Sequence, residues 1–126
     1  MFEADNFKTT LFLNQQGKFS TFELPREIQY SSVKAMEIAD VNNDSVKDII
    51  FGGNQYLVKP QFGRDDASKG WVVFGSKRSK YHFKSAKSMG ITGQIRALKI
   101  VEHDGKKIII SAINNKKIQF NEIQHQ

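Results

Sequence analysis

The run Asp40-Val41-Asn42-Asn43-Asp44-Ser45-Val46-Lys47-Asp48 places oxygen-bearing side chains at its first, third, fifth and ninth positions. Alternate residues of a tight loop can turn their oxygens toward one centre. A hard Ca2+ ion needs that arrangement to gather about six to eight oxygen ligands at about 2.4 Å. The expected set is Asp40, Asn42, Asp44 and Asp48, with the backbone carbonyl of Val46 at the seventh position. An EF-hand is disfavoured, because no helical pattern flanks the loop and its twelfth position is Phe51 rather than Glu. The same residues also suit an ion-free turn, since Asp and Asn readily bond to nearby backbone. Both readings stand at this level.

Other reactive chemistry is scarce. The chain has no cysteine, which excludes disulfides, thiolate zinc sites and a cysteine nucleophile. His82, His103 and His125 are scattered without ligand spacing. No Ser-His-acid set, phosphate-binding glycine loop or His-Glu-x-x-His run occurs, so catalysis is not expected. Asp40 and Asp44, if committed to a cation, would be poor as a general acid and base. Arg64 and Asp66 lie in a long polar connection and could hold a ligand's carboxylate or hydroxyls. An internal ion pair between them that pins the loop is the plainer reading. Trp71 suits packing in a strand better than a stacking platform.

Nineteen Lys and Arg against thirteen Asp and Glu give a formal charge of +6. The cations collect in turns, as Lys77, Arg78 and Lys80 do, or beside them, as Lys106, Lys107, Lys116 and Lys117 do. Turns and edge strands use lysine in this way to discourage association. Without interleaved aromatics or a recognition helix, nucleic-acid binding is the minor alternative. A second alternative is the non-catalytic part of an enzyme whose active site lies elsewhere.

The elements that must position the loop read as strands. Short apolar stretches bounded by Gly, Asn, Asp and Ser cover Thr10 to Leu13, Phe19 to Glu23, Val33 to Ala39, Asp48 to Phe51 and Trp71 to Phe74. Further stretches cover Tyr81 to Lys84, Ile95 to Val101, Lys107 to Ala112 and Lys117 to Phe120. Tight polar links without intervening helices predict an all-β chain of antiparallel meanders. A repeat is visible as well. Val33-Lys34-Ala35-Met36-Glu37-Ile38-Ala39-Asp40 aligns with Ile95-Arg96-Ala97-Leu98-Lys99-Ile100-Val101-Glu102, and Lys47 to Phe51 with Lys106 to Ile110. This order predicts the last two strands of one unit, four of a second and three of a third, as a cut through a β-propeller would give.

The stretch Asp40-x-Asn42-x-Asp44-x-x-x-Asp48-Ile49-Ile50-x-Gly52-Gly53-Asn54 resembles the calcium loop and following strand of FG-GAP/VCBS repeats, the blades of integrin-α-type β-propellers. The longer run Gly52-Gly53-Asn54-x-Tyr56-x-Val58-Lys59-Pro60-x-x-Gly63-Arg64-x-Asp66-Ala67-Ser68-x-Gly70 resembles a signature near the end of VCBS-type propellers in large bacterial proteins, beside a domain named ASPIC/UnbV. The resemblance covers roughly residues 7 to 120. It implies about two blades of a propeller: an outer hairpin at 7–30, a complete blade with its calcium loop at 31–88 and a partial blade at 93–122. It further implies a segment of a larger extracellular or cell-surface protein with a protein or glycan ligand. Two departures stand out. Ser45 occupies the sixth loop position, usually Gly, and the loop of the related third unit has shrunk to Glu102-His103-Asp104-Gly105. One calcium site is therefore expected.

At 126 residues the chain has room for one core. It begins without a signal-peptide pattern, and no apolar run approaches the roughly 20 residues that cross a bilayer. An open stack of sheets leaves edge strands exposed, so association with remaining blades or with a second copy, as a homodimer, is expected.

Overall fold

The computed structural model describes residues 6–56, 66–77 and 85–123. Their secondary structure is all-β, with a single turn of 3-10 helix and no α-helix. The strands are β1 (Thr10–Gln15), β2 (Lys18–Glu23), β3 (Val33–Ala39), β4 (Asp48–Gly53) and β5 (Trp71–Val73). They continue as β6 (Lys87–Ser88), β7 (Ile95–His103), β8 (Lys106–Ile113) and β9 (Gln119–Glu122). They form a two-stranded sheet β1-β2, a four-stranded sheet β3-β4-β5-β6 and a three-stranded sheet β7-β8-β9. Every pairing is antiparallel and joins strands that are neighbours in sequence.

Local sequence sets the turns. Gln16 and Gly17 both take positive φ between β1 and β2, and Asn14 Oδ1 accepts the Gly17 N–H at 2.9 Å. Asp104 and Gly105 do the same between β7 and β8. Two successive positive-φ residues match the twist of the strands they join, which keeps both hairpins tight. Pro25 precedes the 3-10 turn Arg26–Tyr30, which buries Ile28 and had no signal in the strand pattern. Two further strands differ from expectation: β9 lies two residues later than predicted. The predicted strand at 81–84 lies outside the described residues, and β6 pairs with β5 at 87–88.

The sheets stack through two apolar clusters. One joins the four-stranded to the three-stranded sheet and includes Ile50, Val72, Ile95, Leu98, Ile109 and Ile113. The other joins the opposite face of the four-stranded sheet to the hairpin and the 3-10 turn through Leu24, Ile28, Ile49, Phe51 and Val73. All six residues of β4 are buried, because alternate side chains feed opposite clusters. Each such aliphatic burial stabilises by about 1.5–3 kcal/mol. Gly52 is required on this strand: a Cβ there would collide with Ile95 of the next sheet.

β3–β4 and β7–β8 share an irregularity. The register shifts between Val33 and Ala35 in one pair and between Ile95 and Ala97 in the other. Counted from these bulges, Asp48 stands level with Ile108, and Ile50 with Ile110. The sequence alignment of Lys47–Phe51 with Lys106–Ile110 is therefore one residue out of step. The ungapped comparison of two apolar runs could not see this shift, because Ile108, Ile109 and Ile110 are interchangeable by type.

Candidate metal centre

The loop between β3 and β4 folds on its own oxygens. Asp40 Oδ2 accepts the Ser45 N–H at 2.9 Å, and its Oδ1 accepts the Asp44 N–H at 3.2 Å. Asn42 Oδ1 shares the Asp44 N–H at 3.3 Å, while the Asn42 amide donates to Asp44 Oδ2 at 3.1 Å. Asp44 Oδ1 accepts the Val46 N–H at 2.8 Å. Asp40, Asn42 and Asp44 are thus brought together. The backbone achieves this by taking left-handed φ at Asn43 (62°) and Ser45 (66°). Asn tolerates that region, whereas Ser45 pays about 1 kcal/mol for standing where glycine would be at ease.

Asp48 is placed differently. It is fully buried, and its two oxygens accept the Val41 N–H at 2.8 Å and the Gly75 N–H at 2.9 Å. It thereby fastens the start of the loop and the segment after β5 to the head of β4. Gly75 sits so close to the Lys47 carbonyl and the Val46 side chain that a Cβ would clash with both. Burial pushes the Asp48 carboxyl up, the two N–H groups pull it down, and the charges of Asp44 and Asp40 add to the rise. Asp40 itself is held below the usual carboxylate range. Desolvation opposes this, but the N–H of Ser45, the charge of Lys107 and the N–H groups of Asn43 and Asp44 together prevail.

The donor set of the loop is all oxygen and suits a hard cation by chemistry. Its carboxylates are at present satisfied by backbone N–H groups, and among the described residues no group of three or more His, Asp or Glu side chains converges as a metal site. A cation comes from the neighbouring sheet instead: the Lys107 ammonium of β8 donates to the Asp40 carbonyl and to Asn43 Oδ1.

A second polar centre went unread in the sequence beyond its place in a longer motif. Asn54 follows β4, is buried and takes φ of 82°. Its amide donates to the carbonyls of Ser68 at 2.8 Å and Gly93 at 2.9 Å. Its Oδ1 accepts the Ser68 N–H at 2.8 Å and the Ser31 hydroxyl at 3.1 Å. One side chain so ties four segments, and the only sequence signal was an Asn directly after the paired glycines that end a strand.

Of the remaining candidates, Asp66 is exposed, while Arg64 lies outside the described residues, as do His82 and His125. Trp71 packs against the hairpin-side cluster. His103 is exposed beside Asp104 in the β7–β8 turn. Lys8, Lys99 and Lys106 are paired with Glu23, Glu37 and Glu122. No described helix is long and apolar enough to cross a membrane. Comparison with protein-family models, curated proteins and solved structures finds no match to this chain.

Proposed function

We propose that this chain is a segment of a β-propeller of the FG-GAP/VCBS kind, stabilised by calcium in the loop 40–48 and serving as a rigid binding module. The observation that carries the reading is the convergence of Asp40, Asn42 and Asp44 in the link between the first two strands of a four-stranded antiparallel meander. The packing of the four-stranded sheet on the three-stranded one supports it, as does the bulge shared by β3–β4 and β7–β8.

Asp40, Asn42 and Asp44 supply oxygens that need little movement. Asp48 and the Val46 carbonyl complete the set once Asp48 releases one of its N–H partners. A divalent ion would offset the mutual repulsion of three carboxylates and so link binding to folding. The ion's role is structural, and the module's partners are further sheets of the same kind, a second copy of the chain, or a protein or glycan ligand at an extracellular surface. No chemistry on a substrate is proposed for the site, and fold alone assigns none.

The test is a thermal melt of chelator-treated protein with and without millimolar calcium, repeated on Asp44→Ala. Calcium should raise the melting temperature of the wild type, and the rise should vanish in the variant. A wild-type melt indifferent to calcium would reduce the loop to a self-bonded Asx turn.

A further inference from the structure

The cation that the loop holds in this structure is a side chain. Lys107 projects from β8, in the next sheet, and its ammonium meets the Asp40 carbonyl and the Asn43 side-chain oxygen. The short neighbouring turn makes this reach available. β7 and β8 are joined by Asp104 and Gly105 alone, so Lys107, paired across the ladder with Glu102, stands one residue beyond the turn's closing pair His103 and Lys106. A long acidic loop at that corner, like the one between β3 and β4, would fill the same space.

We infer that Lys107 is the resident cation of the β3–β4 loop, clamping it to the adjacent sheet and opposing a metal ion there through its charge. The first half concerns this chain alone; the second rests on the calcium reading proposed above. The competition follows from charge and place. An ammonium beside Asp40 already compensates part of the loop's negative charge, and a divalent ion entering at the loop's carboxylates meets that like charge nearby, while the lysine has acceptors of its own, the Asp40 carbonyl and Asn43 Oδ1. The coupling is reciprocal, so calcium entry loosens Lys107 from the loop by the factor that Lys107 weakens calcium. The loop would then be fastened either within its own sheet by metal or to its neighbour by lysine. Removing that like charge should tighten calcium binding on the order of tenfold.

Calorimetric titration with calcium chloride on wild type, Lys107→Met and Asp44→Ala decides the competition, and a double-mutant cycle in chelator decides the clamp. Lys107→Met should bind calcium about tenfold tighter than wild type, and Asp44→Ala should not bind. Binding by Lys107→Met alone would support the inference equally. Unchanged or weaker binding in Lys107→Met would overturn the competition and leave the calcium reading intact. Absence of binding in both proteins would sink the calcium reading and the competition together. The clamp is judged separately, from the melting temperatures of Lys107→Met, Asn43→Gly and the double variant without metal. Glycine keeps the left-handed backbone at position 43 while removing its oxygen. Sub-additive losses show that Lys107 and Asn43 act as a pair, and a Lys107→Met melting temperature equal to that of the wild type refutes the clamp.

Discussion

The strand pairs β3–β4 and β7–β8 begin with the same bulge and run in the same register, yet they are put to different uses. β3–β4 opens into an eight-residue loop, 40–47, that gathers acidic oxygens, and its second strand is sealed on both faces. β7–β8 closes in a two-residue turn, and the outward face of its sheet exposes Val101 and Phe120. Conversely, Leu98 is buried beneath β3, while Met36, level with it in the register, is 54% exposed. The difference teaches that neither pair is intrinsically a core element. What decides burial is which neighbour lies against each face, because Leu11, Leu24 and Ile28 cover the Ile49, Phe51 and Val73 side chains of β4 and β5, whereas Met36 and Ile38 of β3 stay uncovered.

The sharpest way to break the symmetry is at the strand ends. Asn54 and Asn114 occupy level positions after β4 and β8. Asn54→Gly, which preserves positive φ, should cost about 3 kcal/mol in chemical denaturation, because it strands buried carbonyl and N–H groups of Ser68 and Gly93. Asn114→Gly should cost about 1 kcal/mol or less, since its N–H bond to the Gln94 carbonyl survives. Equal losses would mean that the amide clamp contributes nothing particular. Next come the level isoleucines. Ile50→Ala should lose about 2–5 kcal/mol, as expected for an aliphatic side chain deleted from a sealed layer. Ile110→Ala, half-buried on the outward face, should lose about 1 kcal/mol. If a second copy or further sheet covered that face in solution, the two losses would converge.

The smallest effect belongs to the loop's own charge. Asp40 binds its proton less readily in the folded chain than in the unfolded one. The stability this supplies is present above the ordinary aspartate pKa of about 3.9 and is lost as pH falls through the lower folded value. Melts of wild type and Asp40→Asn at pH values from about 6 down to 3 should therefore converge at the acidic end. Parallel curves would show that Asp40 is not distinguished by its surroundings. Asp48, shifted in the opposite direction, works against this trend in both proteins.

Strand existence was legible in the residues because alternation and turn chemistry are local. Asn14 to Gly17, and Asp104 with Gly105, announce their hairpins without help from the rest of the chain. The 3-10 turn at Arg26–Tyr30 was not legible, since its one buried residue, Ile28, is too little to set a period. Asp40, Asn42 and Asp44 were readable as a group because they lie within five residues. Spacing places Asp48 in the same group. The structure instead turns its side chain inward, toward Val41 and Gly75, the latter a partner 27 positions away. Lys107 and Asn54 escaped for the same reason: both act across sheets, where sequence separation carries no signal.

Ladders that join only successive strands have a kinetic consequence. Each sheet can zip outward from its own turns, with small loop-closure entropy at each step except the long links from β4 to β5 and from β5 to β6. Separations as large as that between Asn54 and Gly93 are closed only when the finished meanders meet. The rate-limiting search is then for the mutual placement of preformed sheets, and the polar clamp at Asn54 is among the last contacts to be made.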